Sequence, residues 1–159
     1  MSVHAPSAPS FSPFWPQLKR LRNARKTTYL TLNSRRFLPP EARSLVLEEV
    51  ERENGYRAWI HCAVVMPRQL QMLLTPRCER EMGPIVISDI IEAIAKPTSE
   101  RVNREMHWHG QVWHREYLEQ AVKDSEFEKY FDCICRNPER SELISGHEAY
   151  RWLWLEPGM

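Results

Sequence analysis

Two glutamines, Gln69 and Gln71, stand two residues apart in the segment "QLQMLLT". Side chains alternate along a strand, so both amides leave one face while Leu70, Met72 and Leu74 line the other. An amide carbonyl is a neutral oxygen donor, far weaker toward a divalent metal than a carboxylate or an imidazole. His107-Trp108-His109 has the spacing with which a strand could aim two imidazoles at one metal, but "HWHGQ" reads as a loop, which does not hold them on one side. His61 and His114 fall on separate strands, where a single histidine is more often packed or solvated than ligating. Cys62, Cys78, Cys133 and Cys135 contain no C-x-x-C pair, and Cys133 and Cys135 point to different sides of a helix. They read as reduced, mostly buried thiols. Tyr130 and Cys133 are two nucleophile types one helical turn apart, although Tyr130 also belongs to an apolar stripe.

The elements that must position these groups follow from periodicity. Residues 27–34, "TTYLTLNS", read as a strand. "LPPEARSLVLEEVEREN" reads as a helix: Pro39 and Pro40 open it, Ala42, Val46 and Val50 recur at helical spacing, and Asn54-Gly55 closes it. "YRAWIHCAVV" (56–65) is a second strand, Met66-Pro67-Arg68 turns the chain, and residues 69–75 return as a third. Residues 83–106 make a helix with Ile87, Ile90, Ile91 and Ile94 on one face, and Pro97 should kink or split it. Residues 112–122 are a fourth strand, on which Trp113 and Tyr117 read as core aromatics or, alternatively, as base-stacking ones. "DSEFEKYFDCICRNP" is a last helix, with Ser125 and Glu128 spaced as a capping box and Phe127, Tyr130, Phe131 and Ile134 as its buried stripe. The aromatic tail, "HEAYRWLWLEPGM", should dock on the sheet. A hairpin inside the order β-α-β-β-α-β-α demands antiparallel pairing. The expected fold is α+β, an antiparallel sheet of about four strands with helices packed on it. It forms a single domain over residues 19–159, behind a flexible Pro/Ser-rich arm at residues 1–18.

Charge is distributed unevenly. Residues 1–44 hold eight basic residues against Glu41 alone, a net +7, while the remainder holds fourteen basic and twenty acidic residues, a net −6. Lys19, Arg20, Arg22, Arg25, Lys26, Arg35 and Arg36 make this a segment suited to an anionic partner such as nucleic acid. No apolar run approaches the roughly 18–20 residues of a membrane span. The N-terminus lacks the basic start and apolar block of a secretory signal, so a cytoplasmic location is expected.

The order of elements, with "VVMP" leading into "LLTP", then "GQVWHREY" and "RNPERSELI", resembles the single-tyrosine HUH transposases. Within them it is most similar to the REP-associated tyrosine transposases of bacteria. The resemblance covers about residues 27–155. It implies a ferredoxin-like HUH sandwich that acts on single-stranded DNA beside a hairpin. It also implies a His-hydrophobic-His trio holding a metal ion that polarises the scissile phosphate, and a tyrosine that attacks to leave a phosphotyrosine link.

Carried over residue by residue, the chemistry is missing. Where the resemblance calls for Asn-His-hydrophobic-His after the Met-Pro turn, this chain has Arg68-Gln69-Leu70-Gln71. Where it calls for Tyr-Ile-x-x-Asn-Pro, the chain has Cys133-Ile134-Cys135-Arg136-Asn137-Pro138. Cys133 thus takes the tyrosine's place, Asn137 is retained on the same helical side, and Tyr130 is the nearest substitute nucleophile. Arg68 adds positive charge where a metal would have neutralised phosphate.

These readings converge on a transposase-like protein that recognises single-stranded or hairpin DNA through Lys19, Arg20, Arg22, Arg25, Lys26, Arg35, Arg36 and Arg68, without catalysis and without a cofactor. Two alternatives stand beside it. One is an active nicking enzyme using displaced residues, which would need Mg or Mn. The other is a protein-interaction module on the same fold. Either a monomer or a homodimer is compatible with the sequence.

Overall fold

The computed structural model describes residues 27–79 and 83–157. The arm at residues 1–18 and the basic residues Lys19, Arg20, Arg22, Arg25 and Lys26 lie outside the described residues. Strand β1 (Thr27–Ser34) is followed by helix α1 (Pro40–Glu53), strand β2 (Ala58–Val65) and strand β3 (Gln69–Pro76). A two-residue pair, β4 (Cys78–Glu79) and β5 (Gly83–Pro84), precedes helix α2 (Ile87–Met106) and strand β6 (Trp113–Val122). A 3-10 turn (Asp124–Glu126), helices α3 (Phe127–Cys135) and α4 (Asn137–Arg140) and strand β7 (Leu153–Leu155) complete the order.

The main sheet runs β6-β1-β3-β2-β7 with every neighbouring pair antiparallel. It has five strands, one more than the four expected. The added strand is the aromatic tail: Leu153–Leu155 pairs with Cys62–Val64. Two indole and phenol anchors hold the tail there. Tyr150 Oη donates to the Val65 carbonyl at 2.8 Å, and Trp152 Nε1 donates to Ser44 Oγ at 3.0 Å. A large ring with one polar tip can bury its body and still satisfy its donor, which explains why docking takes this form.

Alternation along the strands separates two cores. Leu30, Leu32, Leu70, Met72 and Leu74 face α1 and α2, packing with Val46, Val50, Ile90 and Ile94. Leu73, Cys62 and Val64 face α3, packing with Phe127 and Ile134. An irregularity in β2 between Ile60 and Cys62 places an extra residue, His61, in the strand. His61 is fully buried against the Phe127 ring, 5.1 Å between centroids, and shares a 2.8 Å hydrogen bond with Thr75 Oγ1.

Three local expectations change. Helix α2 continues through Pro97 rather than splitting. Proline removes only the bond to the Ala93 carbonyl, at a half-exposed position, and the next residue is pinned from the sheet: Trp113 Nε1 donates to Thr98 Oγ1 at 2.8 Å. Trp113 is therefore a core residue, and half-buried Tyr117 packs on the same side, so neither is a free stacking surface. The last helix begins after the 3-10 turn, and the carboxylate that reaches back is Glu126, accepting from the Lys123 N–H at 3.1 Å, in place of the Ser125–Glu128 box. It also breaks at Arg136, so that Asn137 opens a separate short helix. Among the described residues, no helix is long and apolar enough to cross a membrane.

Trp113→Phe deletes the tie to Thr98 and part of a buried ring. Urea unfolding should show a loss greater than the ~1 kcal/mol of one buried hydrogen bond, because a cavity is left beside it.

Candidate functional site

The face of the sheet toward α3 and α4 carries the polar side chains of interest. Register places Thr31 opposite Gln71 and Asn33 opposite Gln69. Gln69 and Gln71 leave this face together, as alternation required, but they do not act as a pair. Gln71 Nε2 donates to Tyr29 Oη at 2.7 Å, and Gln71 Oε1 accepts from Asn137 Nδ2 at 2.7 Å. Ser141 Oγ donates to Asn137 Oδ1 at 2.9 Å, so a hydrogen-bonded chain runs from β1 through β3 to α4. Gln69 makes only a long contact to Asn33, 3.4 Å, near the surface.

Cys133 and Asn137 part company because the helix breaks between them. The Cys133 thiol is exposed, and Arg140 Nη2 donates to its sulfur at 3.3 Å and to its carbonyl at 2.7 Å. Asn137 instead turns in toward Gln71. Tyr130 is half-buried with its ring 5.2 Å from that of Tyr29, and Lys129 lies over its other side at 5.8 Å. It is packed into the apolar layer with Phe131. Of the cysteines only Cys62 is buried, Cys135 is intermediate, and Cys78 and Cys133 are exposed, against the expectation of mostly buried thiols. Cys62 and Cys135 touch: burial first, then the neighbouring sulfur, pushes the Cys62 thiol up, while the hydrogen bond from Cys62 holds Cys135 down.

A divalent metal can be tested against this donor set. Both ends of the Gln71 amide are committed to protein partners, and Gln69 offers one neutral oxygen. Among the described residues no three His, Cys, Asp or Glu side chains converge to hold a metal ion. His61 is deep in the core, His114 lines the groove on the α2 side of the sheet, and His107 and His109 are exposed on their loop. The residues as placed do not fit the metal that the resemblance implies.

Of the predicted nucleic-acid-binding residues, the three inside the described region gather at one end of the sheet. Arg35 and Arg36 follow β1, and Arg68 sits in the β2–β3 turn. The two segments are hydrogen-bonded: Ser34 N–H to the Arg68 carbonyl at 2.9 Å, and Leu38 N–H to the Pro67 carbonyl at 2.7 Å. The Arg35 N–H binds the Val112 carbonyl at 2.7 Å, which brings in the loop after α2. All three arginines are exposed, and none has an acidic partner among the ion pairs of the described residues. Arg68 adjoins Gln69, so the cationic end borders the Gln71 face.

Among solved structures, this architecture matches a REP-associated tyrosine transposase bound to a REP hairpin, with a TM-score of 0.64 and 17% identity over 82% of this chain and 76% of that one. The chain has the fold of a REP-associated tyrosine transposase. A candidate transposase of Deinococcus radiodurans R1 is also similar, at 20% identity over 68% of this chain and 89% of that one, with a TM-score of 0.48. No protein-family model and no curated protein matches the sequence.

On this fold, the sequence singles out Gln69, Gln71, Cys133, Asn137, Arg35, Arg36 and Arg68 but not Tyr29, Arg140 and Ser141, which the structure brings against them. Tyr29 becomes a partner of Gln71 only through the β1–β3 register, and Arg140 reaches Cys133 only because the helix breaks. Asn137→Ala should cost about 1–2 kcal/mol in urea unfolding, since it leaves the half-buried Gln71 carbonyl without its donor. In a Gln71→Leu background the same change should cost clearly less, because the two residues share one bond.

Proposed function

We propose that this chain is a transposase-like DNA-binding protein that holds single-stranded or hairpin DNA at the Arg35–Arg36–Arg68 end of its sheet and does not nick it. The observation that carries this reading is the closed amide chain. At the place where a nicking enzyme of this fold needs open metal ligands, Gln71 is bound at both ends by Tyr29 and Asn137. Beside it lie three exposed arginines without acidic partners among the described residues, the arrangement that neutralises phosphates without reading sequence. The hairpin held by the REP-associated relative supports a hairpin as the ligand here. Lys19, Arg20, Arg22, Arg25 and Lys26, on the segment leading into β1, would add to the same electrostatic attraction. The reading requires neither Mg nor Mn and takes the protein to be bacterial and cytoplasmic, as a monomer or homodimer.

One observation favours a second reading. Cys133 is solvent-exposed with the Arg140 guanidinium 3.3 Å from its sulfur, which places an accessible nucleophile type beside a cation that pairs with phosphate. An active nuclease built on Cys133 or Tyr130 would leave a covalent adduct with one DNA end.

The two separate in a single experiment. Anisotropy of a fluorescent hairpin with single-stranded flanks is followed at low and high salt with manganese present, and the same samples are run on a denaturing gel. Binding that falls steeply with salt, with neither cleaved strand nor adduct, is the expected result. An adduct overturns the loss of chemistry, and absence of binding overturns the DNA reading. Arg68→Ala should weaken binding to all sequences alike and reduce the salt slope by about one, the signature of a phosphate contact.

A further inference from the structure

The cationic end of the sheet carries more than charge. Arg36 and Phe37 are consecutive and both exposed, and each is braced from behind. The Arg36 guanidinium lies over the Trp108 ring at 4.7 Å. Trp108 itself packs partly into the core, and its backbone N–H is fixed by the Asn103 carbonyl at 3.0 Å. Phe37 is 52% exposed, unusual for so apolar a ring. Behind it stands Arg43, only 8% exposed, with its guanidinium 5.7 Å from the Phe37 ring and 4.4 Å from that of Trp152. Arg43 Nε also donates to the Leu38 carbonyl at 2.8 Å.

The backbone between these braces is held on both sides. Ser34 Oγ donates to the Arg36 carbonyl at 2.6 Å, and the Arg35 and Leu38 N–H groups bind the neighbouring loop and turn. Two flat groups are therefore presented to solvent by a segment that has little freedom to collapse over them. A guanidinium backed by an indole keeps its outer face available for stacking, and a phenyl ring offers a second such face. Stacking is indifferent to base identity, because every nucleobase has a π-face. Base-paired DNA does not offer those faces, whereas an unpaired strand does. The Ser34 N–H bond to the Arg68 carbonyl sets the segments of Arg35 and Arg68 side by side, so both exposed cations border this surface.

We propose that Arg36 and Phe37 form a stacking site for unpaired nucleobases, taking the single-stranded DNA that flanks a hairpin. The proposal rests on the DNA-binding reading above and assigns the flank, rather than the duplex stem, to this surface.

The test uses the full chain and three probes: a blunt hairpin, the same hairpin with a single-stranded flank containing 2-aminopurine, and the flank strand alone. The flank should tighten binding by about tenfold, within the range for stacking of one or two bases, and 2-aminopurine fluorescence should be quenched on binding. Arg36→Lys keeps the charge and loses the plane, while Phe37→Leu keeps apolar bulk and loses the plane. Both positions are exposed, so thermal unfolding should be unchanged. Each variant should lose most of the flank's gain and most of the quenching, and Phe37→Leu should leave the affinity and salt slope for the blunt hairpin unaltered. If the blunt hairpin binds but the flank adds nothing, or if the variants keep the gain, the stacking site is wrong and the DNA-binding reading stands. If the flank strand binds alone and the variants lose it, the stacking site is supported even where the stem is not held. Failure of all three probes to bind overturns both.

Discussion

The pairing of Thr31 with Gln71 across β1 and β3 is the constraint on which this structure turns. With that register, Leu30, Leu32, Leu70, Met72 and Leu74 fall on one face and fill the space under α1 and α2. Tyr29, Gln69 and Gln71 fall on the other. A slip of one residue would drive two amides into the apolar layer and expose the leucines, so burial enforces the register strongly. The same register brings the Tyr29 hydroxyl to Gln71, which then reaches Asn137 and ties the end of the last helical segment to the centre of the sheet.

That tie has a different physical character from a metal centre. A metal site needs donors with free lone pairs aimed at one point. Here a neutral amide has one N–H and one carbonyl lone pair engaged by two protein partners, so it gains a modest, directional linkage and is a poor donor to a cation. The nucleophile position is altered in a concerted way. The helix breaks at Arg136, Asn137 turns inward, and Cys133 is left outside against Arg140. On the proposed reading scaffold and chemistry come apart: the apolar pattern that specifies the sandwich is present, while Gln71 and Asn137 are bonded to each other.

At the open end of the sheet the balance is reversed. Side chains there are held in place but not consumed by their contacts. Arg36 rests on Trp108, and Phe37 rests on Arg43, which is itself stacked on Trp152 of the tail. The tail therefore serves two ends. It supplies β7 to cover the β2 edge, and through Trp152 it braces the residues behind Phe37. Preorganised planes beside cations that have no acidic partner among the described residues suit the proposed recognition of a flexible anionic strand, since little ordering of the protein is left to be done on binding.

Local pattern by itself determined much of this protein. Period-two alternation located β1 at residues 27–34 and sorted Gln69 and Gln71 from Leu70, Met72 and Leu74. Proline and Asn-Gly signals bounded α1, and helical spacing found the buried isoleucines of α2. Residue identity put glutamines at 69 and 71 and a cysteine at 133, where the resemblance implies two histidines and a tyrosine. Tertiary structure decided the rest, because it depends on partners distant in the chain. Pro97 is absorbed because Trp113, on another element, pins the turn beside it. The tail becomes a fifth strand because β2 offers an open edge. Gln71 is a closed link and not a spare ligand because Tyr29 lies forty-two residues before it and Asn137 sixty-six after it, separations at which only the fold can bring hydrogen-bonding groups together.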